Sequence, residues 1–137
     1  MAAEGRRHGA RQLLVKALYQ FQISGHPEGE LIEQFCAREE FEWIDGDYFL
    51  LLLREIIEGA NALDGLIAEI ADRSLAHLNP IERAVLWIGL TELKSHTDVP
   101  VKVVLNEAVE LSKQFGAEGG HRFVNAVLDN AAKSLRG

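Results

Sequence analysis

The chain has 137 residues, of which 47% are hydrophobic and 26% charged, and its formal net charge is −7. This length suits one domain, the apolar fraction excludes a disordered chain, and no apolar run approaches the ~20 residues of a membrane-spanning helix. The single cysteine, Cys36, excludes an internal disulfide framework and a cysteine-based zinc site. The arginines near the start precede no apolar stretch, so we expect no secretory signal and a cytoplasmic protein.

The charge is unevenly distributed along the chain. Residues 1–27 carry a net charge of +3, residues 28–72 carry −11 and residues 73–137 carry +1. The acidity therefore belongs to the middle of the chain, and the first 27 residues form a basic island. Sign asymmetry of this kind can mark an interaction surface. For the acidic stretch from Glu28 to Asp47, the alternative is a solvated face without a partner.

Hydrophobic residues recur at helical spacing along the whole chain, which predicts an all-α fold. Short joints of Gly, Asn, Asp and Pro separate the helical segments, as in a compact helical bundle. We find no strand pattern, internal repeat or low-complexity tract. About seven helices are expected, near residues 9–23, 29–41, 46–59, 61–75, 80–95, 100–115 and 120–135.

The first predicted helix has an apolar face and a polar face, and Tyr19 lies on the polar one. The basic residues Arg6, Arg7, His8 and Arg11 lie upstream, with Arg7 and Arg11 at the border between the faces. A nucleobase can stack on such a ring while arginines hold phosphates. Alternatively, the tyrosine packs against a neighbouring helix and keeps its hydroxyl in water.

The predicted helix at 80–95 is apolar almost all round, so we place it at the centre of the fold. Asn79 can cap its start, Pro80 suits the first helical position, and Glu82 can satisfy a free amide. Glu82 is therefore first of all a helix-start residue. The following helix can end at Gly116 in a left-handed cap.

The segment 116–122, Gly-Ala-Glu-Gly-Gly-His-Arg, is a second candidate for binding phosphate. Glycines before a helix leave amide donors accessible, and the helix dipole favours an anion there. Arg122 adds donors and Phe123 can reach solvent, whereas Glu118 opposes phosphate. The alternative is a glycine-rich turn with Phe123 packed laterally.

Sequence signatures of enzymes are absent: there is no HExxH, P-loop, GxSxG or zinc-spaced Cys/His set. The histidines lack partners at metal-ligand spacing, and the carboxylates form no recognisable acid/base arrangement. Cys36 lies on an apolar stripe, and Trp43 and Trp87 are interpreted as packing residues. We therefore expect no enzyme, no catalytic residue, no cofactor and no metal.

Several stretches resemble the NusB family of bacterial transcription antitermination proteins. The resemblance covers nearly the whole chain, and it is strongest over residues 80–130 and weakest over 26–47. The matching stretches are Arg6-Arg7, Ala10-Arg11, Ala17-Leu18-Tyr19, Leu63-Asp64-Gly65-Leu66, Ile81 to Leu86, Thr91-Glu92-Leu93, Asp98 to Val103, Asn106-Glu107-Ala108, Phe115 to Glu118 and Phe123 to Asp129.

The resemblance implies one domain over residues 1–137, made of two small helical bundles packed together, with a flexible basic N-terminus at 1–8. It implies binding of the boxA element of nascent ribosomal-operon RNA together with the ribosomal protein NusE. With other Nus factors, that complex helps RNA polymerase to read through terminators. Neither catalysis nor membrane association is implied. Some relatives self-associate, so a homodimer is a further option.

The resemblance also implies roles for individual residues. Glu82 corresponds to a glutamate tied to RNA or NusE binding, and Gly119 lies near the NusE surface at a turn position that is often acidic in relatives. Without a carboxylate there, we expect an easier approach of RNA phosphates. His8 and Gly9 stand where well-known members are richer in arginine. The implied RNA-binding residues are Arg6, Arg7, Arg11, Tyr19, Phe115 and Phe123.

Two other functions compete with this one. The same helical fold occurs as the N-terminal domain of certain ribosomal RNA cytosine methyltransferases, so an RNA-modification accessory is one alternative. It would need a fused catalytic domain with a cofactor-binding glycine motif, and none occurs before Gly137. A helical adaptor that binds protein but no RNA is the other. Because the basic island is small, we expect weak RNA binding by the chain alone, with a partner supplying positive charge.

Overall fold

The computed structural model describes residues 3–71 and 75–137, and this part of the chain is all helical, without a strand. The predicted all-α fold is confirmed. Two 3₁₀ segments, Glu39–Trp43 and Leu75–His77, accompany the α-helices. The α-helices are α1 (Ala3–Ser24), α2 (Glu28–Cys36), α3 (Gly46–Ile70), α4 (Pro80–Ser95), α5 (Val101–Phe115) and α6 (Gly120–Arg136).

The predicted helices differ from the observed ones in three places. The segment 46–59 and residues 61–70 of the next segment form one helix, α3, because its buried stripe of Leu52, Ile56, Leu63 and Ile67 runs through both. The end of the predicted segment 61–75 includes residues 72–74, which lie outside the described residues. The segment 29–41 divides into α2 and the first 3₁₀ segment. Helix α1 already begins at Ala3, so residues 5–8 are helical where we expected a flexible end, and residues 1–2 of that end lie outside the described residues.

The six helices form two packed halves, α1–α3 and α4–α6, as the family resemblance implies. Helix α4 connects the two halves, because it contacts α1 and α3 of the first half as well as α5 and α6 of its own half. Residues 84–93 of α4 are all buried. The predicted central position of this helix is therefore confirmed, and α1, α3, α5 and α6 all pack on it.

The start of α4 also follows the sequence prediction. The Asn79 side-chain oxygen accepts a hydrogen bond of 2.7 Å from the amide of Ile81, and Pro80 occupies the first helical turn. The left-handed cap predicted at Gly116 is wrong. Gly116 is extended, and its amide still donates to the Ser112 carbonyl at 2.9 Å. The left-handed residue is Gly119, with φ +82°, immediately before α6.

The two tryptophans behave differently. Trp87 is buried as predicted, and its Nε1 donates to Asp64 at 2.9 Å. Trp43 was expected to be a packing residue but is 62% exposed, because it ends the 3₁₀ segment outside the core. Cys36 is half-buried. No helix within the described residues is long and apolar enough to cross a membrane.

Candidate nucleic-acid interface

The first two arginines lie at one end of the bundle, where the start of α1 meets the start of α3 and the loop after α4. Arg6 Nη2 donates to the Ile44 carbonyl at 3.0 Å. The Arg7 guanidinium lies 4.4 Å from the centre of the Tyr48 ring, 3.9 Å from Asp45 and 3.8 Å from Asp98. We call this region, Arg6 and Arg7 with their contacts, the arginine end. Arg6 is exposed and the Arg7 side chain is 31% exposed, so both can meet a ligand from solvent.

Arg11 lies inside the protein, with 0% of its surface exposed. Its Nε donates to Glu92 at 2.9 Å and its Nη1 to Glu107 at 3.1 Å. A buried cation must be paired, and two carboxylates from the other half of the molecule supply the pairing. Arg11 is therefore not accessible for the direct RNA contact that we predicted. It lies in the interior of the protein and not at the border between the two faces of α1.

Tyr48 completes this buried network, because its hydroxyl donates to the same Glu92 carboxylate. Burial, and next the Glu92 charge, raise the pKa of the Tyr48 hydroxyl far above its ordinary value, so it remains a donor. Burial disfavours the charge on Arg11, but Glu92 and Glu107 outweigh it and raise the pKa of Arg11. We call Arg11, Tyr48, Glu92 and Glu107 the buried charge network.

A groove between α1 and α5 leads away from the arginine end. His8 Nδ1 donates to Glu107 at 2.5 Å, and Gln12 Nε2 donates to Gln114 at 2.8 Å farther along. An open pocket of about 300 Å³ lies on this α1–α5 groove beside His8 and Glu107. On a helix of 100° per residue, His8, Gln12 and Tyr19 fall within about 40° of one another. The groove face of α1 therefore runs from His8 to Tyr19, and Arg7 lies beside it, about 100° around the helix from His8.

Beyond the groove, the starts of α4 and α6 and the end of α5 lie close together: Cγ2 of Ile81 is 3.7 Å from the Cβ position of Gly116, and Gln22 of α1 donates to the Pro80 carbonyl at 2.9 Å. Tyr19 is 42% exposed there, as predicted, and lies about 18 Å along α1 from Arg7. Phe115 and Phe123 are both half-buried against the core. Gly119 is exposed, and a Cβ at this position would meet nothing within 4 Å. We call Tyr19, Phe115, Phe123 and the turn 116–120 the glycine end.

Glu82, the residue predicted to bind a partner, is only 8% exposed. Its Oε1 lies 2.9 Å from the point where a Cβ on Gly120 would be, so the carboxylate sits against the start of α6. A helix start favours a negative charge, and the glycine at position 120 allows the carboxylate to approach this one closely. Glu82 therefore packs against the turn that carries Gly119, and little of its surface is exposed to a partner.

Gly9 has a structural explanation as well. A Cβ at this position would lie 2.7 Å from Cγ2 of Ile44, closer than real atoms approach. Glycine at position 9 thus lets α1 pack on the segment before α3. The absence of an arginine here, where well-known members of the family are richer in arginine, therefore allows this close packing.

Sequence reasoning missed Tyr48, Asp45 and Asp98 at the arginine end, and it missed the partners of Arg11. One signal was present. Glu92 lies in the last turn of a helix that is otherwise apolar on nearly all sides, and a carboxylate buried there needs a partner. Arg11 also points in the same direction as Leu14 and Leu18 on the α1 helical wheel.

The chain is similar to known proteins over almost all of its length. The model of the NusB family matches residues 8–133. Transcription antitermination protein NusB of Serratia proteamaculans is 45% identical over 130 residues, covering 95% of this chain and 94% of that protein. The solved structure of T. maritima NusB superimposes with a TM-score of 0.85 at 29% identity, over 96% of this chain and 93% of the other.

A second solved structure contains the antitermination factors NusB and NusE in complex with double-stranded RNA. It superimposes with a TM-score of 0.81 at 26% identity and covers 95% of this chain and 98% of the other. The region that the family model matches contains α2 to α5 completely and most of α1 and α6, and it begins just after Arg6 and Arg7. This chain belongs to the NusB family of transcription antitermination proteins.

Proposed function

We propose that this chain binds boxA RNA of nascent ribosomal-operon transcripts together with NusE. In that complex it joins RNA polymerase and other Nus factors and helps the polymerase to read through terminators. The observation that carries the proposal is that α1 presents both kinds of RNA contact: the accessible cations Arg6 and Arg7 near its start, and the exposed ring of Tyr19 about 18 Å farther along. The family membership and the relative solved with NusE and RNA support it.

The two ends of this surface contribute different chemistry. Arg6 and Arg7 provide cations for phosphate oxygens, which give affinity independent of sequence. Tyr19 provides an exposed ring for a nucleobase, and the half-buried rings of Phe115 and Phe123 lie at the end of α5 and the start of α6. Such a role requires no catalytic residue, metal or cofactor in this chain, and it places the protein with the transcription machinery in the cytoplasm.

In this proposal, NusE compensates for the negative charge that lies near the RNA-binding surface of this chain. Carboxylates of Asp45, Asp98 and Glu110 lie close to the surface that would meet the phosphates. They reduce the attraction that Arg6 and Arg7 exert on RNA. We therefore expect weak RNA binding by the chain alone and much tighter binding when NusE adds its own contacts. Glu82 and Gly119 at the glycine end are the residues proposed to lie at or near the NusE interface.

The proposal is tested by a gel shift with boxA RNA and a scrambled RNA of the same composition, each with and without purified NusE. We expect a shift with boxA in the presence of NusE, a weaker one without NusE, and little with the scrambled RNA. Binding of NusE without any RNA shift would instead support a protein-only adaptor. Light scattering on the same samples distinguishes a heterodimer from a homodimer of this chain.

A further inference from the structure

One aromatic ring lies directly beneath the exposed cation of the arginine end. The Arg7 guanidinium is 4.4 Å from the centre of the Tyr48 ring, well within the range of a cation–π interaction. Arg11 approaches the same ring less closely, at 5.6 Å. Tyr48 therefore lies between a buried arginine and an exposed one, and it contacts both.

The Tyr48 ring is fixed in place from several sides. Its hydroxyl donates to Glu92, which Arg11 also holds at 2.9 Å. The ring of His96 packs edge-on against it at 6.0 Å, and His96 Nε2 is in turn 2.9 Å from Glu55. Tyr48 is itself buried. A ring held in this way offers the guanidinium one position rather than many.

The other neighbours of Arg7 hold it less firmly. The carboxylates of Asp45 and Asp98 lie 3.9 and 3.8 Å away, which is beyond hydrogen-bonding distance. Asp98 is also 71% exposed, so water and salt screen its charge. An incoming phosphate can replace such interactions. The contact with the Tyr48 ring provides no oxygen acceptor, so the guanidinium N–H donors remain available for a phosphate.

We infer that Tyr48 is a positioning residue for RNA binding, which holds the Arg7 guanidinium with its donors free for a phosphate. This inference rests on the proposed function. The ordering of a long arginine side chain then takes place when the protein folds rather than when RNA binds. Within the buried charge network, Arg11 and Glu92 fix the position of Tyr48, and the Tyr48 ring in turn fixes the position of Arg7.

The test compares two replacements of Tyr48 in the complex with NusE, with boxA affinity measured over a range of salt concentrations. Tyr48→Leu removes the ring, and we expect affinity to fall about two- to fivefold, the size of an exposed cation–π interaction. The log–log salt slope should become shallower by up to about 0.7, the amount that one neutralised phosphate contributes. Tyr48→Phe keeps the ring and its contact with His96 but loses the hydrogen bond to Glu92, so it should restore most of both values.

Two controls separate positioning from general damage to the fold. Phe49→Leu removes the next ring along the chain, which is equally buried but packs on Phe35 and Phe41 rather than on an arginine. It should lower the melting temperature without changing the salt slope. In an Arg7→Ala background, Tyr48→Leu should cause no further loss of RNA affinity.

A wild-type salt slope in Tyr48→Leu would overturn the inference, and so would an equal change in Phe49→Leu. A full loss that persists in the Arg7→Ala background would overturn it as well. If Arg7→Ala weakens RNA binding but Tyr48→Leu does not, only the role of Tyr48 fails. If the wild-type complex does not bind boxA at all, the proposed function fails and this inference with it.

Discussion

The two ends of the candidate surface are built in different ways. At the arginine end, the partly exposed Arg7 packs on the ring of Tyr48, and the Tyr48 hydroxyl donates to the buried carboxylate of Glu92. At the glycine end, the exposed Tyr19 and Gly119 belong to a helix face and a turn that offer space rather than charge. We conclude that the first end is suited to hold phosphates in fixed positions, whereas the second is suited to admit a base and a partner.

The largest expected effect concerns the interior of the arginine end. Arg11→Ala leaves Glu92 and Glu107 without their buried cation, and we expect a loss of about 3–5 kcal/mol in the free energy of unfolding. Urea denaturation measures this loss. Arg7→Ala is the matched control one turn away, where the charge is partly exposed, and it should cost less than about 1 kcal/mol. Similar losses in both variants would contradict the difference between the two arginines.

The next effect concerns the close approach of α1 to Ile44. In Gly9→Ala the added Cβ would lie 2.7 Å from the Ile44 side chain, so we expect destabilisation by about 1–3 kcal/mol. Gly59→Ala is the matched control, because this glycine also lies inside a helix but has nothing within 4 Å of its Cβ position. It should instead stabilise α3 by about 0.5–1 kcal/mol. Unfolding curves that rank the two variants in the opposite order would exclude the close approach.

At the glycine end, Tyr19→Ala should weaken boxA binding by about 1–3 kcal/mol if a base stacks on the ring. Fluorescence anisotropy of labelled RNA with the NusE complex measures the change. Ile23→Ala removes another exposed apolar side chain one turn along α1 and should have little effect. Equal losses would indicate a general apolar interaction, and no loss for Tyr19→Ala would indicate that the ring only packs laterally.

The smallest effect is electrostatic. Gly119→Asp adds a carboxylate at the exposed turn, and repulsion from a nearby phosphate should weaken boxA binding by about 1 kcal/mol, or roughly fivefold. Gly119→Asn is the control, since it has the same size and the same backbone strain at φ +82° without the charge. If the two variants bind boxA equally, the lack of a carboxylate at Gly119 does not affect RNA binding.

What the sequence predicted correctly was mostly local. Asn79 caps α4, and α4 is central, because these features depend on neighbouring residues and on periodicity. Arg11 was misplaced because its partners lie 81 and 96 residues away, which a helical wheel of α1 cannot show. The exposure of Tyr19 followed from the wheel alone.

The turn before α6 illustrates the same limit. Any of three glycines in this turn could adopt the left-handed backbone conformation, and the sequence could not show that Gly119 rather than Gly116 does so. Tyr48 was missed for a related reason. Its function depends on Arg7, which reaches it only because α1 crosses the start of α3.

The central claim is that one RNA contacts both ends of this surface. It is tested most directly by the boxA affinity of the NusE complex in four forms: wild type, Arg7→Ala, Tyr19→Ala and the double variant. The two residues lie about 18 Å apart on α1, so their losses should be independent. We predict that each single variant weakens binding and that the losses add, as free energies, in the double variant. A single variant with wild-type affinity, or a double variant no weaker than the worse single one, would contradict the claim.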